Sequence, residues 1–223
     1  MSGLRVAGLF AGVGGIEKGL HDAGHRAELL CEWDPAAQRV LRSHFSGVEV
    51  VGDVRELDSL PSVDLVAAGF PCTDISQAGR KTGINGQQSG LVAEIWRLLD
   101  SAVSCPEWLL LENVSYLLSL DRGNGLKHLI ESVEARGYRW AYRIVDARAF
   151  GLPQRRQRIV FLASRNHDPR TVLFADDAGP EAGFDDSVGA VDRDDAYGFY
   201  WTEGLRGLGW AHRAVPTIKG GSG

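Results

Sequence analysis

The sequence is poor in cysteine and lacks any long run of apolar residues. Its three cysteines, Cys31, Cys72 and Cys105, are odd in number and far apart, which excludes a disulfide framework and the paired ligand spacing of a zinc site. No stretch approaches the roughly 18 uninterrupted apolar residues of a membrane span. The N-terminus runs straight into a strand pattern, without the features of a signal peptide. We therefore expect a cytoplasmic protein that uses neither a membrane nor a metal.

The chain also lacks the excess of basic residues that many nucleic-acid-binding domains carry. It holds 24 Lys and Arg against 29 Asp and Glu, for a formal net charge of −5. Residues 165–223 account for most of this excess, and in the remainder basic residues cluster at 79–81 and 154–158. This distribution excludes a broadly basic surface, but it permits a local footprint on a polyanion.

What the sequence does contain is a regular alternation of strand and helix patterns, without an internal repeat. The alternation predicts a doubly wound, mostly parallel α/β sheet with helices on both faces, and 223 residues suffice for one domain of this size. The last two strand patterns flank a glycine- and proline-containing turn and predict a terminal β-hairpin. Strands are predicted at 4–10, 27–33, 48–53, 63–69 and 107–113, and helices at 16–24, 34–45, 91–103 and 125–137.

Chemically useful side chains follow successive strands in this prediction. The glycine-rich turn AGVGG follows the first strand, Glu32 and Trp33 end the second, and Asp53 ends the third. Cys72, in GFPCTDIS, lies just past the fourth apolar run rather than inside it, and Glu112 ends the fifth. Because ligands bind at the carboxyl ends of the strands in such sheets, these residues predict a site along one edge.

The residues at this edge favour an adenosine-containing ligand without phosphates. A carboxylate in the position of Glu32 can accept hydrogen bonds from both ribose hydroxyls. Trp33 would stack on a base or cover the edge of the core, and Asp53 would cap the next segment or accept a hydrogen bond from an adenine amino group. The glycines allow either a structural turn or a close approach of the ligand. Since the loop has no Walker lysine and the edge is acidic, S-adenosylmethionine is the predicted cofactor.

Six short motifs carry a resemblance to a known family. LFAGVGG, EWD, GDV, GFPC, ENV and QRRQR occur in this order between residues 9 and 158. The chain thereby resembles the DNA (cytosine-5) methyltransferases. The resemblance implies the seven-stranded, Rossmann-like sheet of class I S-adenosylmethionine-dependent methyltransferases. It also implies transfer of a methyl group to C5 of cytosine in double-stranded DNA, within a restriction–modification system of a bacterial cytoplasm or nucleoid.

The resemblance also implies the role of each motif residue. Cys72 would be the nucleophile that adds to cytosine C6, on a base flipped out of the helix. Glu112 would hold or donate a proton at N3, and Arg156 and Arg158 would orient the base. The segment 73–90 has the composition of a closing loop. The cofactor would contact Phe10, Gly12, Val13, Gly14, Gly15, Glu32, Trp33, Asp53, Val54, Pro71 and Leu91.

The chain departs from the family pattern after the sixth motif. The family normally continues with a target-recognition domain and a last motif that completes the cofactor site. We expect a catalytic domain at 1–165, an acidic flexible linker at 166–196 and the start of a recognition region at 197–223. The chain would then act with a second polypeptide, or as part of a longer protein, and would methylate little DNA alone.

Three other functions remain open from the sequence. An RNA cytosine-5 methyltransferase, acting for example on tRNA, would share these motifs. A non-catalytic nucleotide-binding module on the same fold is a second alternative, which the presence of both Cys72 and Glu112 disfavours. A dinucleotide-dependent dehydrogenase is a third, but it leaves GFPC and QRRQR unexplained.

Overall fold

The computed structural model of the chain describes residues 3–71, 90–175, 197–201, 208–212 and 215–216. These fall into two compact units. The first comprises residues 1–143 and 159–175, and the second comprises residues 144–158 and 176–223. Within the described ranges, no helix is long and apolar enough to cross a membrane.

Seven strands form the central sheet in the order β3-β2-β1-β4-β5-β8-β6. Strand β1 pairs in parallel with β2 and β4, β2 with β3, and β4 with β5. Ser164 and Arg165, at the far end of β8, bond to Glu107 just before β5, so β8 runs antiparallel to β5. The seven strands are β1 (Arg5–Leu9), β2 (Arg26–Cys31), β3 (Glu49–Val51), β4 (Leu65–Ala68), β5 (Trp108–Val114), β6 (Arg139–Asp146) and β8 (Gln157–Ser164).

The sequence predicted this fold class correctly, including the pairing of the last two long strands, since β8 and β6 are hydrogen-bonded neighbours. Strand β3 is shorter than predicted, because the side chain of Asp53 accepts a hydrogen bond from the Arg55 N–H and starts a 3₁₀ turn at Val54–Glu56. Strand β5 begins and ends one residue later than predicted, and Glu112 lies two residues before its end.

Helices cover both faces of the sheet, as the alternating pattern predicts. They are α1 (Gly15–Asp22), α2 (Pro35–His44), α3 (Leu91–Ser101), α4 (Asn124–Glu134) and a short α5 (Arg170–Leu173). Helix α2 begins as predicted, with Asp34 accepting a hydrogen bond from the Ala36 N–H and Pro35 in the first turn.

Alternate residues of β1 divide the core between the two faces. Val6 packs with Ile16 and Leu20 of α1, whereas Ala7 and Leu9 belong to the larger cluster that α3 and α4 complete. This larger cluster contains fully buried side chains from both helices and from the strands: Leu9, Val66, Ile95, Leu98, Leu109, Leu111, Val133 and Phe161. The sheet is therefore covered on both sides, and its strand ends are held rigidly.

The two compact units do not have the same boundaries as the domains that the sequence predicts. Residues 166–175, at the start of the predicted linker, lie in the first unit and include α5. Residues 144–158 lie in the second unit, together with short strands β7 (Gln154–Arg155), β9 (Tyr197–Trp201), β10 (Leu208–His212) and β11 (Val215–Pro216). Strand β9 pairs antiparallel with β10, and β11 pairs in parallel with β7. Residues 176–196 of the predicted linker lie outside the described residues.

Candidate functional site at the carboxyl ends of the strands

The glycine-rich turn after β1 is held by backbone hydrogen bonds and tight packing. The Ala11 N–H donates to the Cys31 carbonyl at 3.0 Å, which ties the turn to the end of β2. Phe10, with φ of 56°, adopts the left-handed conformation that is uncommon for residues with a side chain. At Gly14, φ is 84° and a Cβ atom would lie 2.6 Å from the ring of Phe45. Glycine is therefore required here by both conformation and space.

Glu32 connects this turn to the loop after β2. Its Oε2 accepts a hydrogen bond from the Gly12 N–H at 2.7 Å, and its Oε1 accepts one from the Asp34 N–H at 2.8 Å. Because each carboxylate oxygen can accept two hydrogen bonds, one position remains on each. The side chain is thus fixed in place, with acceptor capacity to spare for a ligand hydroxyl.

Asp53 begins the 3₁₀ turn after β3, and it serves the capping role that the sequence left open. Its Oδ1 accepts hydrogen bonds from the backbone N–H and the Nε of Arg55, both at 3.0 Å, and its Oδ2 accepts one from Nη2 at 2.6 Å. The side-chain hydrogen bonds from Arg55 lower the pKa of Asp53 below its usual value. The carboxylate therefore stays ionised near neutral pH.

A cavity of about 550 Å³ opens between these strand ends, well within the range of about 300–1,000 Å³ typical of small-molecule sites. Six of the predicted cofactor residues line it: Phe10, Glu32, Trp33, Asp53, Val54 and Leu91. Five do not, although all of them are described: Gly12, Val13, Gly14, Gly15 and Pro71. Five further lining residues were not predicted: Cys31, Gly52, Arg55, Gly90 and Glu94. We call this space the strand-end cavity.

Trp33 forms an exposed wall of the strand-end cavity. Its side chain is 70% exposed, and the guanidinium carbon of Arg55 lies 5.9 Å from its ring centroid. Of the two roles that the sequence allowed, covering the core edge does not fit this exposure. A surface aromatic beside a cavity is instead available for stacking on a ligand.

Cys31 lies inside the cavity lining but is not suited to nucleophilic chemistry. Burial, together with the nearby carboxylates of Asp53, Glu32 and Glu56, raises the pKa of its thiol to about 12. The thiol is therefore neutral near pH 7 and acts as a small core residue.

Glu112 and the GFPC motif come together at the ends of the neighbouring strands β5 and β4. A Cβ atom placed on Gly69 would lie 3.4 Å from Oε2 of Glu112. Gly69 is three residues before Cys72, which lies outside the described residues, as do residues 73–89 of the predicted closing loop. Pro71 is described and exposed. The carboxylate of Glu112 is thus beside the segment from which the predicted nucleophile extends.

Asn113 fixes that segment, a role that the sequence did not reveal. This buried side chain donates from Nδ2 to the Phe70 carbonyl at 2.9 Å, and its Oδ1 accepts a hydrogen bond from the Val114 N–H at 2.9 Å. The residue therefore joins β5 to the chain just before Pro71. The ENV motif thus holds Glu112 and a backbone anchor side by side.

Arg156 and Arg158, the predicted base-orienting residues, belong to the second unit. The Arg156 carbonyl accepts a hydrogen bond from the Ala147 N–H at 3.0 Å, and the Arg156 N–H donates to the Gln154 carbonyl at 2.9 Å. Arg158 lies in β8 and donates from Nη1 to the Gln157 carbonyl at 2.8 Å. Their role toward a base stays a prediction.

Two acidic residues near the site were not singled out by the sequence. Glu17 in α1 is buried over Gly8 of β1, and within the described ranges its Oε2 has no hydrogen-bond partner. Burial, with a smaller contribution from Glu32, raises the pKa of Glu17 to about 7. Glu94 of α3 lines the cavity and pairs with Arg97 at 2.6 Å. Among the described side chains, no group of three His, Cys, Asp or Glu could hold a metal ion.

Comparison with known proteins identifies relatives over nearly the whole chain. The Type II methyltransferase M2.BsuMI of Bacillus subtilis (strain 168) is 52% identical over 221 residues, 98% of this chain and 57% of its own length. M.Bsp6I of Bacillus sp. (strain RFL6) is 36% identical over 168 residues, 73% of this chain and 53% of its own length. The chain therefore spans somewhat more than half of these relatives.

Solved structures and a family model agree with this relationship. The S. pombe Dnmt2 methyltransferase matches 80% of this chain and 57% of its own chain, with a TM-score of 0.62 and 22% identity, which shows a shared fold. The Entamoeba histolytica methyltransferase EhMeth matches 75% of this chain and 54% of its own, with a TM-score of 0.58 and 18% identity. The family model for C-5 cytosine-specific DNA methylases matches residues 4–182. The chain belongs to the C-5 cytosine-specific DNA methylase family.

Proposed function

We propose that the chain carries the catalytic part of an S-adenosylmethionine-dependent DNA methyltransferase that acts on C5 of cytosine in duplex DNA. The observation that carries the proposal is the approach of Glu112 to Gly69 in GFPC, at the same sheet edge as the strand-end cavity. Membership of the family supports the reaction, and the relatives' description as Type II methyltransferases supports a place in restriction–modification.

The strand-end cavity fits the proposed cofactor. It combines an apolar floor from Phe10, Val54 and Leu91 with the fixed carboxylates of Glu32 and Asp53. An adenosine needs such acceptors for its ribose hydroxyls and its amino group, and apolar surface for its ring. Bound S-adenosylmethionine would supply an electrophilic methyl group on a sulfonium. Because this cofactor has no phosphate groups, the AGVGG turn does not need a basic residue to bind it, and it has none.

Cys72 and Glu112 would then perform the chemistry on the base. Unactivated C5 is a poor nucleophile, so the Cys72 thiolate first forms a bond to C6 while Glu112 gives a proton to N3. The electron pair displaced by this addition makes C5 nucleophilic, and C5 takes the methyl group. Loss of the C5 proton to a base then expels the thiolate and restores the ring, and return of the N3 proton to Glu112 leaves neutral 5-methylcytosine.

The test is to trap the covalent step. Fluorine at C5 cannot leave as a proton does, so the protein should remain bonded to 5-fluorocytosine after methylation. We expect the intact chain, incubated with S-adenosylmethionine and duplex DNA in which every cytosine carries fluorine, to show a protein–DNA adduct by mass spectrometry. Because the adduct accumulates irreversibly, it also reports slow chemistry, and the full substitution makes the target sequence irrelevant.

Controls in the same experiment separate the alternatives. Cys72→Ala should form no adduct, whereas Cys105→Ala should form as much as the unaltered chain. An adduct with fluorinated tRNA and none with duplex DNA would establish the RNA alternative, and adducts with neither would refute the proposed reaction. The second polypeptide and the bacterial cytoplasmic location stay predictions of the sequence.

A further inference from the structure

In the part of the chain that the structure describes, one local turn occurs three times, at residues 53–55, 146–148 and 168–170. In each, an aspartate accepts a hydrogen bond from the backbone N–H two residues later and binds the guanidinium of that same residue, an arginine. The turn therefore has a structural role of its own, which is to start a short helical segment. Only the turn at 53–55 opens on the strand-end cavity.

The carboxylate of Asp53 can still accept a hydrogen bond from a ligand after it has bound Arg55. A carboxylate offers about four acceptor positions. Arg55 occupies about three of them: its backbone N–H donates to Oδ1 at 3.0 Å, its Nη2 donates to Oδ2 at 2.6 Å, and its Nε is shared between Oδ1 at 3.0 Å and Oδ2 at 3.1 Å. About one acceptor position is therefore left for another donor. An ionised carboxylate cannot donate, so a ligand carbonyl at this position would meet repulsion.

Arg55 also connects the two sides of the cavity mouth. While its guanidinium holds Asp53, its Cζ lies 5.9 Å from the ring centroid of Trp33. The turn that carries it is anchored from α3, because Arg97 Nη2 donates to the carbonyls of Val54 at 3.1 Å and Leu57 at 2.8 Å. A buried acceptor and an exposed aromatic are thereby set at a fixed distance from each other, as a planar heteroaromatic ring with an edge amino group would need.

We propose that Arg55 is a positioning residue that makes the cavity selective for a purine bearing a 6-amino group, by fixing Asp53 as an acceptor and supporting Trp33. This inference rests on the proposed function, because it assumes an adenosine-containing cofactor. The inference adds to the proposed function a residue that lies outside the six sequence motifs, and it gives a physical reason why the cavity would select one purine base.

The test compares two ligands whose purines differ in the hydrogen-bonding groups at C6 and the adjoining N1. S-adenosylhomocysteine carries a 6-amino group and an unprotonated N1, and S-inosylhomocysteine carries a 6-carbonyl and an N1–H. We expect the unaltered chain to prefer the amino ligand by roughly tenfold to hundredfold in Kd, the scale of one hydrogen bond to a charged group. Arg55→Ala should weaken binding of the amino ligand by about tenfold and bring the ratio of the two Kd values close to one. Isothermal calorimetry measures both.

Matched variants exclude a merely structural effect. Arg170→Ala removes the same turn contact from the first unit, away from the cavity, and should leave both Kd values unchanged. Arg55→Lys, which keeps the charge but not the paired geometry, should restore part of the selectivity. If Arg55→Ala does not fold, Arg55→Lys alone decides the matter. The ratio of its two Kd values should lie between one and the ratio of the unaltered chain.

The possible failures are distinguishable. Binding of the amino ligand with a Kd ratio that Arg55 variants do not change would overturn this inference and leave the proposed function intact. Equal weakening of both ligands would do the same, because it would mean that Arg55 only maintains the cavity. Failure of the unaltered chain to bind either ligand would refute the proposed cofactor, and this inference with it.

Discussion

The two ends of the central sheet use their carboxylates in different ways. At the amino ends of the strands, Glu107 accepts hydrogen bonds from Ser164 Oγ at 2.6 Å and from the Asn166 N–H at 2.8 Å, and Asp64 is paired with Arg5. Those partners come from other strands and from the loop after β8. At the carboxyl ends, Glu32 and Asp53 line a cavity of about 550 Å³. Asp53 binds Arg55 of its own turn, and Glu32 binds the Asp34 N–H of its own loop and the Gly12 N–H of the neighbouring turn.

The difference shows how strand direction separates structural from functional acids. A carboxylate at the amino end joins distant segments, so its hydrogen bonds stabilise the fold. A carboxylate at the carboxyl end is held by its own loop or the neighbouring one, and it lines the cavity between the strand ends, where ligands bind in such sheets. Sequence motifs alone do not distinguish these cases, since Glu107 and Glu112 lie on the same strand pattern, five positions apart.

The sharpest way to test the comparison uses two cysteines. In the sequence Cys72 follows β4, whereas exposed Cys105 precedes β5 at the amino end of the sheet. Cys72→Ser should reduce methyl transfer roughly a thousandfold or more, because a hydroxyl is a far weaker nucleophile near neutral pH. Cys105→Ser should leave the rate unchanged. Transfer of labelled methyl groups to DNA measures both, and a Cys72→Ser protein with full activity would disprove the mechanism.

The two acids of β5 should give opposite results. Glu112→Gln should lower methyl transfer by roughly 10²- to 10⁴-fold, the usual contribution of a general acid or base, with little change in stability. Glu107→Gln should lower the free energy of unfolding by about 1–3 kcal/mol, since hydrogen bonds to a charged, half-buried carboxylate are lost, with unchanged turnover. Methyl-transfer rates and urea unfolding decide the matter. The comparison of the two sheet ends would fail if both variants lost activity equally.

Much of this organisation was predictable because strand and helix periodicity is local. Asp34 and Pro35 start α2 as the sequence predicts, and the acids that follow β2 and β3 were placed correctly at the edge. Arg55 was missed because its pattern, an aspartate two residues before an arginine, occurs elsewhere as a simple turn. Asn113 was missed because its partner, Phe70, is 43 residues away in sequence.

Glu17 was missed for a packing reason. Ile16 and Leu20 are the apolar residues of α1 that pack on the sheet, and an acid next to them in the sequence gives no sign of burial. Its burial depends on Gly8 in β1, where a Cβ atom would lie within 2.3 Å of Glu17 Oε1. Only the pairing of a glycine on the strand with an acid on the helix makes room for this carboxyl group, and such pairings are not visible in one-dimensional patterns.

This residue provides a third case, an acid at neither end of the sheet. The pKa of Glu17, raised by burial to about 7 from its ordinary 4.5, keeps the proton on the folded protein while the unfolded chain loses it. Stability from this group is therefore full below pH 4.5 and is lost as the pH rises to about 7, by about 3 kcal/mol. Glu17→Gln should remove that loss.

Unfolding in urea at pH 4.5 and pH 8 measures the effect. We expect Glu17→Gln to gain about 3 kcal/mol relative to the unaltered chain between the two pH values. Exposed Glu56 is the matched control, and Glu56→Gln should show no comparable gain. Equal pH profiles for Glu17→Gln and the unaltered chain would mean that Glu17 finds a partner in solution.

The smallest expected effect concerns Glu32, which combines both uses of a carboxylate. Its bonds to the Gly12 and Asp34 N–H groups stabilise the loops, and its remaining acceptor positions are the proposed ribose contact. Glu32→Gln keeps one acceptor oxygen and removes the charge, so it should weaken binding of S-adenosylmethionine by roughly 1.5–3 kcal/mol. Asp64→Asn, at the amino end, should lower stability and leave the affinity unchanged. Calorimetry on the two variants would contradict the division of roles if Asp64→Asn weakened binding as much as Glu32→Gln, because the two ends of the sheet would then be coupled.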